Sequence, residues 1–188
     1  MVALLFFTKV DSMTLEMLDK AIRRVPDFPK PGILFYDITS ILTNPEAFKF
    51  VVEQMVEKYK GGKIDAVAGV ESRGFIFAAP LAEKLGIPMI LIRKKGKLPG
   101  DTYQCDYALE YGTASIEVHK ADVKAGQKIL VIDDLIATGG TLAATKNLLQ
   151  QGGAEVTEFF GVIGLPALNY EKVLNPTPVT TLINYDGV

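Results

Sequence analysis

Short apolar, strand-like runs separated by helical segments set the rhythm of this chain. Residues 64–70 form an almost continuous apolar run that reads as a strand buried on both faces. Residues 87–92, 128–133 and 154–163 repeat the pattern, and residues 179–185 supply a last strand. Helical segments lie between them. Residues 75–85 are stopped by Gly86, and residues 141–151 follow a glycine-rich loop. Strands that alternate with helices require long crossovers, so the expected fold is α/β: a twisted parallel sheet flanked by helices on both faces.

The segments before this core read differently. Residues 12–24 carry Leu15, Leu18 and Ile22 at helical spacing, and Pro26, Pro29 and Pro31 then interrupt. Asn44, Pro45 and Glu46 form a helix start, because Asn caps, Pro fits the first turn and Glu favours the helix dipole. That helix is expected to reach Tyr59 and end at Gly61 and Gly62. Residues 93–119 break the α/β rhythm. They read as a long mobile loop followed by a short antiparallel pair, and loops of that length in a compact domain are usually functional. The 188 residues are expected to form one domain, with residues 1–11 as an N-terminal extension.

Composition excludes several classes. With 48% hydrophobic and 22% charged residues the chain can bury a core and is not a disordered one. A net charge of −2 argues against duplex nucleic acid as a partner, so a cationic site must be local and suited to a small anion. No apolar run approaches the ~18 residues needed to cross a bilayer. The apolar start, residues 1–7, lacks a cationic leader, and the cytoplasm is the expected compartment. Cys105 is the only cysteine and His119 the only histidine. Cys105 falls in a polar, loop-like stretch and His119 in an alternating, strand-like one. Neither sits in a nucleophile motif, so both read as ordinary structural positions.

The chemistry concentrates where the run 128–133 ends. Asp133 and Asp134 are followed by Ala137, Thr138, Gly139, Gly140 and Thr141, and then by a helix. In a parallel sheet, ligands bind beyond the carboxyl ends of the strands. Small residues let the backbone approach an anion, and successive N–H groups at a helix start form a phosphate cradle. The pattern is neither a P-loop nor a dinucleotide fingerprint. Two carboxylates beside a phosphate make sense when sugar hydroxyls lie between them, which points to a ribose 5-phosphate.

These residues resemble the phosphoribosyl pyrophosphate motif of type I phosphoribosyltransferases. Four further segments are similar to the adenine-specific branch of that family: Phe28-Pro-Lys-Pro-Gly-Ile-Leu-Phe-Tyr-Asp37, Glu71-Ser-Arg-Gly-Phe75, Arg93-Lys-Lys-Gly-Lys-Leu-Pro-Gly100 and Leu109-Glu-Tyr-Gly112. The resemblance runs from Val25 to the C-terminus. It implies transfer of ribose 5-phosphate from phosphoribosyl pyrophosphate to adenine, giving AMP and pyrophosphate, with Mg2+ held by substrate oxygens and water near Asp133 and no direct protein ligand. It further implies a homodimer, a small hood over the base at residues 25–40 and a mobile catalytic loop.

The same resemblance distributes roles. Asp133, Asp134 and residues 137–141 would bind ribose 5-phosphate. Glu71, Ser72, Arg73, Gly74, Arg93, Lys94 and Lys97 would bind pyrophosphate, with a cis peptide between Glu71 and Ser72. Glu110 and Arg73 would be catalytic, Glu110 handling the proton adenine loses. Leu34, Phe35 and Tyr36 would bind adenine, Phe35 by stacking and its neighbours through backbone groups. Tyr36 departs from the family, where Arg is common. Rival readings are transfer to another base, such as xanthine or hypoxanthine, and a non-enzymatic sensor of phosphoribosyl pyrophosphate. A phosphoribosyl pyrophosphate synthetase would need a longer chain and an ATP site.

Overall fold

The structure is a computed structural model that describes residues 13–109 and 112–187. These form two compact units: one comprises the described residues up to Gly62 together with Gly187, the other residues 63–186.

The first unit holds α1 (Leu15–Ala21), β1 (Arg23–Pro26), β2 (Leu34–Asp37), α2 (Thr39–Leu42) and α3 (Pro45–Tyr59). The start of α3 follows the sequence expectation: the Asn44 side chain accepts from Ala47 N at 3.2 Å, and Pro45 occupies the first turn. Helix α1 is shorter than its periodicity predicts. Residues 23–26 leave it to pair antiparallel with β2, an arrangement set by partners eight to fourteen residues away. The hairpin is braced by Arg23, whose guanidinium donates to Asp37 at 2.9 Å.

The second unit is built on a seven-stranded sheet of β3 (Ala66–Val70), β4 (Met89–Lys94), β5 (Thr102–Leu109), β6 (Gly112–His119), β7 (Lys128–Ile136), β8 (Glu155–Gly164) and β9 (Val179–Asn184). Their order is β5-β6-β4-β3-β7-β8-β9. Strands β4, β3, β7, β8 and β9 run parallel, as expected, and β3 is buried at every position. Helices α4 (Gly74–Leu85), α5 (Gly140–Gln151) and α6 (Tyr170–Leu174) complete it. Leu142, Leu148 and Leu149 of α5 join Ala66, Ala68, Val131 and Phe159 of the sheet in the core. Truncating Leu148 to Ala should cost about 2–5 kcal/mol. Among the described residues no helix is long and apolar enough to cross a membrane.

The sheet order positions the site. The chain leaves β3 through α4 to reach β4 on one side, and later places β7 on the other. The order therefore reverses beside β3. The crevice beyond the carboxyl ends of two such strands is where open α/β sheets bind ligands.

Two expectations need correction. Residues 93–119 are not a long loop with a short pair: β5 and β6 pair over all eight of their residues, leaving only residues 95–101 as connection. Tyr103, Cys105 and Tyr107 alternate along β5 and pack on the core, so a stretch that looks polar in sequence is half of a docked hairpin. Cys105 accordingly lies in a strand, partly buried, and burial raises its thiol pKa. Strand β7 also runs three residues past Asp133, carrying both aspartates within it.

Candidate active site

Beyond β7 the chain bends at residues 137–139 and enters α5 at Gly140. Asp133 and residues 135–142 line an open cavity. The amides of the first helical turn have no acceptor within the helix, and the dipole gives that end partial positive charge. Gly139 sits at φ +82°, and a Cβ there would lie 3.2 Å from Leu174 Cγ and 3.3 Å from Tyr170 Cβ, so α6 closes the cradle from behind. The structure thus brings Ala137, Thr138, Gly139, Gly140 and Thr141 together with Asp133 around one depression.

Strand β3 ends on the neighbouring loop. The Glu71–Ser72 peptide is cis, as expected. Gly74 opens α4 against β7: a Cβ at this position would meet Ile132 O at 2.5 Å. Only glycine lets the helix start so close to the neighbouring strand. That approach sets Arg73 beside Asp134, with Nε 2.5 Å from Oδ2. The Asp134 side chain is 5% exposed and that of Arg73 47%. Two residues given separate ligands by the sequence reading are therefore partners of each other.

The adjacent aspartates are electrostatically unequal. Burial, and then the neighbouring Asp134 carboxylate, push the Asp133 carboxyl well above the usual aspartate range; the Asp134 N–H and Arg73 pull only partly the other way. Asp133 Oδ1 accepts from Asp134 N at 2.9 Å. The Arg73 guanidinium holds Asp134, so the carboxyl facing the cavity is the one ready to gain from new donors such as sugar hydroxyls.

The cationic segment is held by two carboxylates. Glu71 Oε2 accepts from Arg93 Nε at 2.9 Å and from Lys94 N at 2.8 Å. Burial raises the Glu71 carboxyl, but these donors outweigh it and leave it below the usual range. Arg93 also lies over the Phe75 ring, 5.9 Å from its centroid. Glu117 Oε1 accepts from Lys97 N and Leu98 N, each at 2.8 Å. Lys94, Lys95 and Lys97 remain exposed.

In the first unit, Phe35 is partly exposed and packs edge-on against Phe28, with ring centroids 5.0 Å apart and planes at 70°. Leu34 is partly exposed, whereas Tyr36 is buried and its hydroxyl donates to Gly187 O at 3.2 Å. The Tyr36 side chain is thus engaged with Gly187, and its main chain lies opposite Arg24 of β1. Glu110, the expected catalytic carboxylate, and residues 1–11 lie outside the described residues.

Residues 37–183 match the phosphoribosyl transferase domain. An adenine phosphoribosyltransferase of Treponema denticola is 66% identical over 172 residues, spanning 92% of this chain and 90% of that protein. The chain belongs to the adenine phosphoribosyltransferase family. Solved structures of this family agree in fold. That from Thermoanaerobacter pseudethanolicus superposes with a TM-score of 0.87 at 42% identity, over 92% of this chain and 100% of its own. That from Saccharomyces cerevisiae, crystallised with adenine and an imino-altritol bisphosphate, has a TM-score of 0.84 at 38% identity, over 89% of this chain and 97% of its own.

Family membership gives the arrangement a chemical frame, and two contributors lie outside the sequence motifs. Tyr107 of β5 brings its hydroxyl to 3.4 Å from Thr141 Oγ1, at the cradle. Glu117 lies mid-strand in β6, where alternation predicts a solvent-facing acid; instead it is 2% exposed because residues 96–98 fold over it. A carboxylate at the sixth position of a strand carries no local sign of this. The residues around the cavity also suit Mg2+. Asp133 offers a hard oxygen donor at its edge, as expected for an ion that keeps waters and substrate oxygens instead of a full protein cage.

Proposed function

We propose that this protein transfers the 5-phosphoribosyl group of phosphoribosyl pyrophosphate to adenine, forming AMP and releasing pyrophosphate. The observation that carries this reading is the adjacency of two loops that each lead into a helix start, residues 71–74 and 137–141, after the neighbouring strands β3 and β7 where the sheet order reverses. One suits the 5′-phosphate and the other the diphosphate of a single substrate.

Residues 137–141 would hold the 5′-phosphate through main-chain N–H groups and the hydroxyls of Thr138 and Thr141. Asp133 would accept from the ribose hydroxyls, with Asp134 and Arg73 fixing the strand end beside it. The bond from C1′ to the diphosphate oxygen breaks as adenine N9 attacks C1′, through an oxocarbenium-like transition state. Negative charge grows on the leaving diphosphate, and Arg73, Arg93, Lys94 and Lys97 would stabilise it. Ser72 and Gly74 would offer main-chain N–H groups, with Glu71 holding Arg93 in place. Glu110 would take or relay the proton that adenine loses through N7. Phe35 would stack on the purine, and main-chain groups of Leu34 and Tyr36 would pair with its edge. Such pairing favours adenine because a 6-oxopurine leaves those groups unmatched. Mg2+ would supply charge neutralisation to the diphosphate, with Asp133 the residue nearest its waters.

We place the working form as a homodimer in the cytoplasm, the latter in keeping with a lone thiol and no disulfide framework. Competition between radiolabelled adenine, hypoxanthine and xanthine tests the reaction. AMP formed from adenine alone supports it; turnover of a 6-oxopurine in preference to adenine, or of no base by folded protein, overturns it. Sedimentation tests the dimer.

A further inference from the structure

The cationic turn that follows β4 closes around a buried acid. Glu117 sits opposite Arg93 of β4 and Gln104 of β5 in the sheet, and is 2% exposed. Its Oε1 takes both the Lys97 and Leu98 N–H groups at 2.8 Å. The neighbouring amides are also held: Lys94 N by Glu71 at 2.8 Å and Lys95 N by Ser115 O at 3.0 Å. Main-chain N–H groups along 94–98 are thus held, while the three lysine side chains of this stretch are exposed.

Two physical points separate this from a common surface contact. Four cations within five residues repel one another, and a flexible turn would spread them apart. A carboxylate taken out of water is strongly disfavoured unless donors satisfy it. Here burial raises the Glu117 carboxyl, but the N–H groups of Leu98, Lys97 and Gly96 outweigh it and keep it ionised at neutral pH. The negative charge is spent on amides behind the turn. It fixes the lysines without competing for them as a salt-bridge partner would.

We propose that Glu117 is a positioning residue for diphosphate: it holds the 95–98 turn in the shape that presents Lys94 and Lys97 to the leaving group of phosphoribosyl pyrophosphate. This rests on the functional reading above, in which those lysines bind diphosphate. Preorganised cations lose little entropy on binding, so removing the clamp weakens diphosphate recognition selectively.

The test compares Glu117→Ala and Glu117→Gln with the unaltered protein, using inorganic pyrophosphate, phosphoribosyl pyrophosphate and AMP as probes. Glu117→Ala is expected to weaken pyrophosphate binding and raise KM for phosphoribosyl pyrophosphate by about tenfold, with AMP affinity and KM for adenine within about twofold. Glu117→Gln keeps an acceptor for both amides and should recover most of the loss. Pyrophosphate bound by a folded Glu117→Ala protein as tightly as before overturns the proposal, and so does an equal loss of AMP affinity. If the alanine variant does not fold, amide exchange in the unaltered protein decides: Lys97 and Leu98 should exchange slowly and more slowly still with saturating pyrophosphate. Open-chain exchange rates, or no response to pyrophosphate, overturn it. Unaltered protein that binds neither pyrophosphate nor phosphoribosyl pyrophosphate sinks the functional reading itself, an outcome distinct from a normal parent with an unaffected variant.

Discussion

Arg73 Nε lies 2.5 Å from Asp134 Oδ2, joining the loop after β3 to the end of β7 across the point where the sheet order reverses. The pair depends on Gly74, whose missing side chain lets α4 begin against Ile132 O. It ties the loop after β3 to the end of β7, so the two loops of the proposed substrate site share a strut.

Breaking that strut has a distinctive kinetic signature. Arg73→Ala strips the buried Asp134 carboxylate of its guanidinium and should destabilise the fold by about 1–2 kcal/mol, the exposed half of Arg73 keeping the value modest. Arg73→Ala and Asp134→Ala should each lower kcat/KM by about 100-fold or more, with the double variant little worse than either single. Asp134→Ala should remain folded. Denaturant titration and steady-state kinetics on the three variants check this, and losses that simply add would show that the residues act separately.

The Asp133 carboxyl makes an opposite prediction for stability. Its folded-state pKa is raised, chiefly by burial and secondly by Asp134. Between the ordinary aspartate range and that raised value the folded state binds more protons than the unfolded one. Stability therefore falls as pH rises through this window and levels off above it. Asp133→Asn removes the decline. The variant should melt about 2–4 °C higher than its parent at neutral pH for a gain of ~1 kcal/mol, converge with it in acid, and lose most turnover. Calorimetric melting points from acid to neutral pH are the measurement, and an unchanged gap across that range would refute the assignment.

What the sequence disclosed, and what it hid, follows from the range of the forces involved. The Asn44 cap, the buried run of β3 and the helix start after the glycine-rich bend are local patterns, and all three stand in the structure. The β1–β2 hairpin and the full β5–β6 ladder depend on partners that local periodicity does not see. Tyr103, Cys105 and Tyr107 do alternate, but Thr102, Gln104 and Asp106 between them made the stretch look like loop. The site behaved alike. The bend at residues 137–139 and the helix start at Gly140 were legible because small residues before a helix are a local pattern. Glu117 was not, because its burial is created by a turn twenty residues earlier in the chain.

Gly139 and Gly74 should fail for different reasons when given a side chain. Gly139→Ala forces φ +82° on an L-residue and pushes a methyl group toward Leu174 and Tyr170, costing about 1–2 kcal/mol and distorting the cradle. AMP affinity should drop about tenfold or more by titration calorimetry while the protein stays folded. Gly74→Ala meets backbone oxygen at 2.5 Å with no flexible neighbour to give way, so it should lose about 3 kcal/mol and separate Arg73 from Asp134. Comparable AMP binding in the Gly139 variant would remove the 5′-phosphate from this loop.

Glu110 carries the one proton transfer in the proposed reaction, and its replacement should touch rate rather than binding. With Gln at this position the side chain keeps its size and a hydrogen-bonding oxygen but cannot accept a proton from the purine. The expected result is a fall in kcat of about 10²–10⁴-fold, the usual range for loss of a positioned acid or base, with AMP affinity and KM for phosphoribosyl pyrophosphate little changed. Single-turnover rates of the variant and its parent check this. Full activity in Glu110→Gln would move the proton to solvent or to another group, leaving charge stabilisation on the diphosphate as the principal source of catalysis.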